Sequence, residues 1–311
     1  MLLSLHRRHA APHRAGFTLV ELMLVIVLLG IVAGGMLAVI ARQQRFYGGS
    51  AGIIDTRSAV REGIGVLQSD LRSLAPDSGD IYAMSSTSID FRAAIGSSVV
   101  CSIDPTGTLV VVPPKVLSSQ VKLTSWVSDP QWGDTLLFFD PGTKVGTADN
   151  KWRIRELRAA PTPNATCPTS SGFTKTSAEQ ITGYTLQLGT ALPSTVIRGS
   201  AIRAFRKAHY GLYQEGDGNW YLGYYDCLGT RSPECSAPSP VAGPYLAPGT
   251  ALPGLAFTYY DSTGATTADP TKVRRIDIVM RARSQERVSA DGGGRRRFFV
   301  DSLSTTVAVR N

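Results

Sequence analysis

The chain of 311 residues carries a formal net charge of +8 and has only four histidines. Three of them, His6, His9 and His13, lie close to the start, so His209 is the one histidine in the rest of the sequence. A His-rich metal site is therefore excluded, and Ser-His-Asp or Cys-His catalysis would have to depend on this single residue. The sequence predicts no enzyme, no metal site and no cofactor.

An apolar run over residues 17–41 contains Glu21 as its only ionisable side chain. As a helix these residues would span roughly 37 Å, which is enough to cross a hydrocarbon core of about 30 Å. Arg7, Arg8 and Arg14 precede the run without any acidic residue, so we expect a single span with a cytoplasmic N-terminus. A carboxylate in such a run is costly, which indicates a specific partner for Glu21, or else snorkelling to the interface.

A short motif stands at the junction between the basic leader and this run: Gly16, Phe17, Thr18, Leu19, Glu21 and Leu22. It resembles the class III signal peptide of type IV pilins and of type II secretion pseudopilins. The resemblance implies that prepilin peptidase cuts after Gly16 and N-methylates the new N-terminal residue, Phe17. It also implies that Glu21 meets the α-amino group of a neighbouring subunit in the filament. Where many members of the family have a kinking proline, this chain has Ala38.

Residues 42–75 continue with the spacing of an amphipathic helix, which Pro76 ends. A glycine-rich stretch at 48–52 interrupts the pattern, and the sequence leaves open whether the helix bends or breaks there. If it is continuous, residues 17–75 form a stalk of roughly 90 Å. The apolar positions recur at intervals of four and three residues: Val60, Ile64, Leu67, Leu71 and Leu74.

After Pro76, short runs of β-forming residues alternate with clusters of Gly, Pro, Asp and Ser. This pattern predicts an antiparallel, strand-rich head, with hairpin loops at 104–107 and 215–219. The second loop has some calcium-ligand residues but lacks the glutamate that an EF-hand requires, so we interpret it as a turn. Strands are predicted at 88–92, 99–103, 108–112, 135–139, 152–158, 202–214, 220–225, 255–260, 274–283 and 297–309.

The predicted fold class is therefore α+β, with a long N-terminal helix packed on an antiparallel β-sheet head. The divisions are a cleaved leader (1–16), a transmembrane or filament-core helix (17–41), an amphipathic stalk helix (42–75) and a periplasmic or extracellular head (76–311). In the last strand, four apolar side chains and Asp301 share one face, which predicts burial against the helix or a second sheet. The four are Phe299, Leu303, Val307 and Val309.

Four cysteines lie in the head, and an even number in an exported chain favours disulfide bonds. Three pairings are open. We favour Cys227 with Cys235, across a short loop, and Cys101 with Cys167.

Arginines are concentrated in the C-terminal strands, with Arg295, Arg296 and Arg297 in a row. Such a surface could bind nucleic acid, an acidic partner subunit or a cell-surface polymer, or it could be a solvated face of edge strands. We favour the solvated face. The alternative function is that of a pilus-associated adhesin or a DNA-binding subunit that uses these arginine-rich strands.

Segments 66–72, 255–261, 273–278 and 307–311 resemble, more loosely, the larger minor pilins of the PilW type and the J-type minor pseudopilins. This resemblance implies a non-enzymatic minor pilin or pseudopilin of the inner membrane that primes or caps a filament. Its partners would be prepilin peptidase and other minor and major pilins or pseudopilins. Because a subunit at the extreme tip can lack the carboxylate, Glu21 predicts a position beneath the tip.

Overall fold

The computed structural model describes residues 18–117, 122–144, 146–168, 170, 172–174, 183–227, 235–288 and 297–310. One long helix, α1 (Leu19–Leu71), precedes a head built from strands. The strands are β1 (Ile81–Met84), β2 (Ser88–Val99), β3 (Ser102–Ile103), β4 (Leu109–Val112), β5 (Ser125–Trp126), β6 (Thr135–Asp140), β7 (Lys151–Glu156), β8 (Thr162–Ala165), β9 (Gly183–Gln187), β10 (Ala201–Gln214), β11 (Trp220–Cys227), β12 (Ser239–Tyr245), β13 (Leu255–Tyr260), β14 (Arg275–Val288) and β15 (Arg297–Ala308).

The helix α1 runs without interruption through the glycine-rich stretch at 48–52. Its 53 residues make it about 80 Å long. A glycine costs a helix only about 1 kcal/mol relative to alanine, so tertiary contacts can hold the helical path. Gly52 supplies such a contact, because a Cβ atom placed there would lie 3.4 Å from the side chain of Val288. The long helix and the α+β class are confirmed, and the bend that the sequence left open is not present.

The main sheet has eleven strands, with a path β1-β2-β10-β11-β12-β14-β13. The long strand β10 pairs with β2 on one edge, and with β11 and β6 at successive positions on the other. In the same way β14 pairs with β15 on one edge, and with β13 and β12 on the other. All these pairings are antiparallel, as the sequence predicts.

The larger hydrophobic core lies between the second half of α1 and the main sheet. The five apolar residues predicted from the helical spacing are all at most 5% exposed. They form one cluster with side chains of β14 such as Ile276, Ile278 and Met280. Tyr245 joins the two layers, because its hydroxyl donates a hydrogen bond of 2.6 Å to the carbonyl oxygen of Ala59. This core fixes the head to residues 59–71 of the helix and to Leu74 just after it.

A second core lies between the far ends of β2, β6 and β10 and a four-stranded sheet with the order β3-β4-β9-β8. Phe138, Ile202, Val110 and Leu186 are almost fully buried in it. The strands β2 and β10 serve both cores, and their register shifts by one residue at Ile95. A bulge of this kind bends a strand, which suits a sheet that faces two different layers.

A buried arginine connects strands of the head. The Arg206 guanidinium is 2% exposed and makes two hydrogen bonds to the Asp134 carboxylate, of 2.9 Å and 2.8 Å. It also donates to the Ser128 hydroxyl, the Asp129 carbonyl and the Asp226 carboxylate. Because a buried charge is costly unless it is paired and hydrogen-bonded, this network is a requirement of the fold.

The β14–β15 hairpin lies along α1, and its first strand, β14, runs antiparallel to the helix. Its Arg310 end donates a backbone hydrogen bond to Leu74, whereas its Val288 end lies beside Gly52. Along this path Asp301, the charged member of the apolar face of β15, is 3.5 Å from the Arg57 side chain on α1. The same guanidinium lies 5.6 Å from the ring centroid of Phe299. The charge on this strand face therefore has a helix partner. Val307 and Val309 on the same face are buried, as predicted, whereas Leu303 is 40% exposed, contrary to the prediction.

Two disulfide bonds are present in the head, and the cysteines pair as the sequence analysis favours. Cys101 pairs with Cys167, between the start of β3 and the segment after β8. Cys227, at the end of β11, pairs with Cys235.

Candidate functional site

The first half of α1 is an apolar surface without cover from the head. None of the side chains in its most apolar window of 18 residues is buried, and this segment is long and apolar enough to cross a membrane. The large apolar side chains between Leu19 and Ile40 are 47% to 73% exposed. Soluble monomers rarely expose a continuous apolar patch larger than a few hundred Å². This surface therefore requires lipid or other subunits around it.

The start of the helix brings Thr18 and Glu21 together. Thr18 is the N-cap, and its hydroxyl accepts a hydrogen bond of 3.3 Å from the Glu21 amide. The carbonyl oxygen of Thr18 accepts from Leu22 at 3.1 Å. The spacing from Thr18 to Glu21 is that of a capping box, and a carboxylate in the first turn also suits the helix dipole. The sequence therefore begins the helix just before the one charged residue of its apolar segment, 19–41.

The Glu21 side chain is exposed, and it forms no ion pair with any residue that the structure describes. It lies on a helix surface that is otherwise apolar over residues 19–41. A carboxylate in this position is the one feature of the surface that can select a charged partner.

Residues 12–37 match the family described as the prokaryotic N-terminal methylation motif. The chain carries a class III prepilin leader. This leader supports a subunit of the type IV pilin and pseudopilin class. No curated protein and no solved structure matches the chain.

Among the site residues singled out in the sequence, Gly16, Phe17, Arg295 and Arg296 lie outside the described ranges, as do the histidines and arginines of the leader. Their roles at the prepilin leader and in the basic surface stay predictions.

The single histidine of the head belongs to a polar cluster on the sheet. His209 Nδ1 lies 2.5 Å from the Asp90 carboxylate, and Lys207 Nζ lies 3.9 Å from it. The His209 ring packs edge-on against Tyr225, with centroids 5.0 Å apart. Sequence reasoning missed the partner, because Asp90 is 119 residues away and no spacing pattern connects the two.

Both hairpin loops are closed by aspartates. In the 215–219 loop the Asp217 carboxylate accepts hydrogen bonds from Asn219 and from the Tyr221 hydroxyl. In the 104–107 loop the Thr106 hydroxyl donates to Asp104, and this bond holds the pKa of the Asp104 carboxyl below its usual range. The described part of the chain contains no group of three His, Cys, Asp or Glu side chains that could hold a metal ion.

A cleft of about 420 Å³ opens between the end of α1 and the sheet. Asp70 and Asp226 lie on its walls with the aromatic rings of Phe91 and Tyr224. The Tyr210 hydroxyl donates to Asp70 at 2.7 Å. Burial of the phenol, with the nearby Asp70 charge, raises the pKa of Tyr210 far above its usual range. This pair fixes the end of the helix to β10, since a carboxylate near a helix C-terminus needs a donor.

The end of the β14–β15 hairpin carries a basic and aromatic surface, which we call the hairpin patch: Arg283, Arg287, Arg297, Phe298 and Val300. The Arg283 and Arg287 guanidinium groups lie 4.7 Å and 5.5 Å from the centroid of the Phe298 ring. Phe298 and Val300 remain 40% and 49% exposed. Of the three consecutive arginines in the sequence, only Arg297 is among the described residues, and it is exposed.

Proposed function

We propose that this protein is a minor pilin or pseudopilin. It is stored in the inner membrane by the first half of α1, with the head on the periplasmic side, and it then enters a filament. The observation that carries the proposal is the combination of the prepilin leader with an uncovered apolar helix whose only charge is Glu21. The head serves as a structural and interaction module.

Processing is the first step. Prepilin peptidase cuts between Gly16 and Phe17 and methylates the new amino group. The test is mass spectrometry of the mature N-terminus in cells with and without the peptidase. We expect an N-methylated Phe17 in the first strain and the uncut leader in the second. A protein that keeps the leader in peptidase-positive cells, or is cut after Ala41, would refute the proposal.

Assembly is the second step, and it depends on Glu21. A carboxylate and an ammonium group each lose several kcal/mol when they leave water alone, and pairing relieves both costs. The exposed Glu21 carboxylate on an apolar surface is therefore complementary to the α-amino group of an adjacent Phe17. The pairing fixes how far one subunit slides along the next.

The corresponding variant is Glu21→Gln, which keeps the size of the side chain and removes its charge. We expect normal cleavage and membrane insertion but at least a tenfold loss from the sheared filament fraction, or about 1.4 kcal/mol. The matched control is Glu62→Gln, an exposed carboxylate on the same helix within the head. Normal incorporation of the Glu21 variant would show that the pairing is not used.

The size of the head supports a minor role. Its described part has two hydrophobic cores and two sheets, and it packs only on one face of the second half of α1. Such bulk is easier to place at a few positions near a filament end than in every subunit of a tight lattice. Because Glu21 is retained, we place the subunit beneath the tip, where it helps to prime or cap the filament. Quantitative mass spectrometry of sheared filaments tests this, and a copy number close to that of the major subunit would exclude it.

A further inference from the structure

We propose that the hairpin patch binds the anionic headgroups of the membrane that holds α1, and so sets the orientation of the head before assembly. The inference rests on the proposed membrane-stored state and goes beyond it. It assigns a lipid-binding role to Arg283, Arg287 and Arg297 around Phe298.

The first step of the argument is the position of the membrane surface on α1. The apolar run ends at Ala41, and Arg42 follows it. Phe46 and Tyr47 come next, with 65% and 68% of their surface exposed. Aromatic residues at the end of a span are typical of the headgroup layer, which is about 5–7 Å thick on each side. These residues place the outer surface of the membrane near Tyr47.

The second step is the height of the hairpin patch above that surface. Val288 and its strand partner Arg297 lie at the level of Gly52, which is 11 residues or about 16 Å along the axis from Ala41. Subtracting the headgroup layer leaves about 9–11 Å. A membrane helix is tilted by about 20° on average, and the sheet packs about 10 Å to one side of it, so a tilt to that side lowers the hairpin further. This distance is close to one Debye length at physiological ionic strength, about 8 Å.

The third step is the chemistry of the surface. Arg283 and Arg287 both lie against the Phe298 ring, and guanidinium groups that stack by their faces present their N–H edges to phosphate oxygens. Phe298 and Val300 add exposed apolar area beside the guanidinium groups. Nearby carboxylates do not cancel the charge, because Asp301 is paired with Arg57, and Glu286 is the one other acidic residue of segments 283–288 and 297–301.

The position also favours lipid over nucleic acid. The hairpin patch is on the membrane side of the head, next to the emerging helix. A duplex bound there would have to lie between the head and an anionic surface that repels it. The same arginines and ring would otherwise suit either phosphate source.

The experiment compares the full-length protein in nanodiscs of phosphatidylcholine alone and of phosphatidylcholine with phosphatidylglycerol. Hydrogen–deuterium exchange is followed for peptides covering residues 283–300. Each arginine at an anionic surface shifts a binding equilibrium by roughly fivefold, and screening over one Debye length leaves about a third of that energy. Three arginines together therefore predict about fivefold slower exchange in the anionic discs.

The test variant replaces Arg283, Arg287 and Arg297 by glutamine, and it should abolish the difference between the two lipids. The matched control replaces three exposed arginines far from the membrane end by glutamine, and it should keep the difference between the two lipids. These are Arg72, Arg158 and Arg310. Added salt should weaken the protection in the wild-type protein. Equal melting temperatures of the two variants exclude misfolding as the cause.

Three results would overturn the proposal: equal exchange in both lipids, loss of protection in the control variant, or binding of a DNA duplex that depends on the three arginines while phosphatidylglycerol has no effect. Failure of the membrane-stored state gives a different result. In that case alkaline carbonate would release the protein from membranes before any lipid comparison is made.

Discussion

Gly63 lies where α1 packs tightly against the main sheet, and its replacement by alanine tests how the head is held on the helix. A Cβ atom at this position would lie 2.7 Å from the Met280 sulfur and would also collide with the Tyr245 hydroxyl. Met280 is flexible and can move. Tyr245 cannot move without losing its hydrogen bond to Ala59, because its ring is buried in the core.

The expected cost of Gly63→Ala follows from three contributions. Overpacking costs about 1–3 kcal/mol, and the lost hydrogen bond costs about 1 kcal/mol. The better helix propensity of alanine returns about 1 kcal/mol. The variant should therefore be destabilised by about 1–3 kcal/mol, which lowers the melting temperature by about 2–4 °C for each kcal/mol in a domain of this size.

Gly65 provides the control, because it is exposed and a Cβ atom there would meet nothing within 4 Å. Gly65→Ala should stabilise the helix by up to about 1 kcal/mol. The assay is thermal unfolding of the detergent-solubilised protein, followed by near-ultraviolet circular dichroism of the head. Adding Tyr245→Phe to Gly63→Ala removes the colliding hydroxyl, so the double variant should lose less than the sum of the single losses. Stabilisation by both alanine substitutions would refute the close approach of helix and sheet.

Three further variants test the head. Arg206→Met leaves Asp134 as an unpaired buried charge and should cost about 3–5 kcal/mol in chemical denaturation, whereas adding Asp134→Leu should recover most of the loss; additive losses would contradict this. Tyr210→Phe removes the donor to Asp70 and should cost about 1–3 kcal/mol of unfolding free energy, and an unchanged denaturation midpoint would count against that bond. The lowered pKa of Asp104 stabilises the fold above its ordinary value near 4, and this contribution disappears as the pH falls through the lower folded-state pKa. The difference in denaturation midpoint between wild type and Asp104→Asn should therefore shrink between pH 5 and pH 2, and a constant difference would exclude this origin.

The helix could be predicted from the sequence because its signals are local. Hydrophobic length, the Thr18 cap and the spacing from Val60 to Leu74 each lie within a few turns. The glycines at 48–52 could not be judged in this way. Gly52 packs against Val288, which is more than 200 residues away in the chain, and a contact of this kind cannot be seen in the local sequence.

Several strands escaped prediction for similar reasons. The strand β12 contains two prolines, which weaken any local strand signal, and it pairs with β11 on one side. The short strand β8 also contains a proline and lies at the edge of the small sheet. These segments become strands because a neighbour offers an edge, and that neighbour cannot be read from their own residues.

The candidate site also has one part that the local sequence reveals and one part that depends on the fold. Glu21 is recognisable because one charge in an apolar run is a local anomaly. The hairpin patch is not, because the sequence shows arginines and phenylalanines but not which end of the head they occupy. Only the antiparallel course of β14 along α1 brings Arg287 and Arg297 to the level of Gly52.

Because α1 is continuous, a rotation of the head also moves the far end of the helix. From Gly52 to Leu19 the helix extends about 50 Å beyond the last contact with the hairpin. A rotation of the head by only about 10° would therefore carry Glu21 sideways by about 8 Å, more than the reach of an ion pair. With a hinge at 48–52, the orientation of the head would no longer determine the position of Glu21. In the filament that we propose, the orientation of the head therefore sets the position of the Glu21 carboxylate relative to the neighbouring subunit.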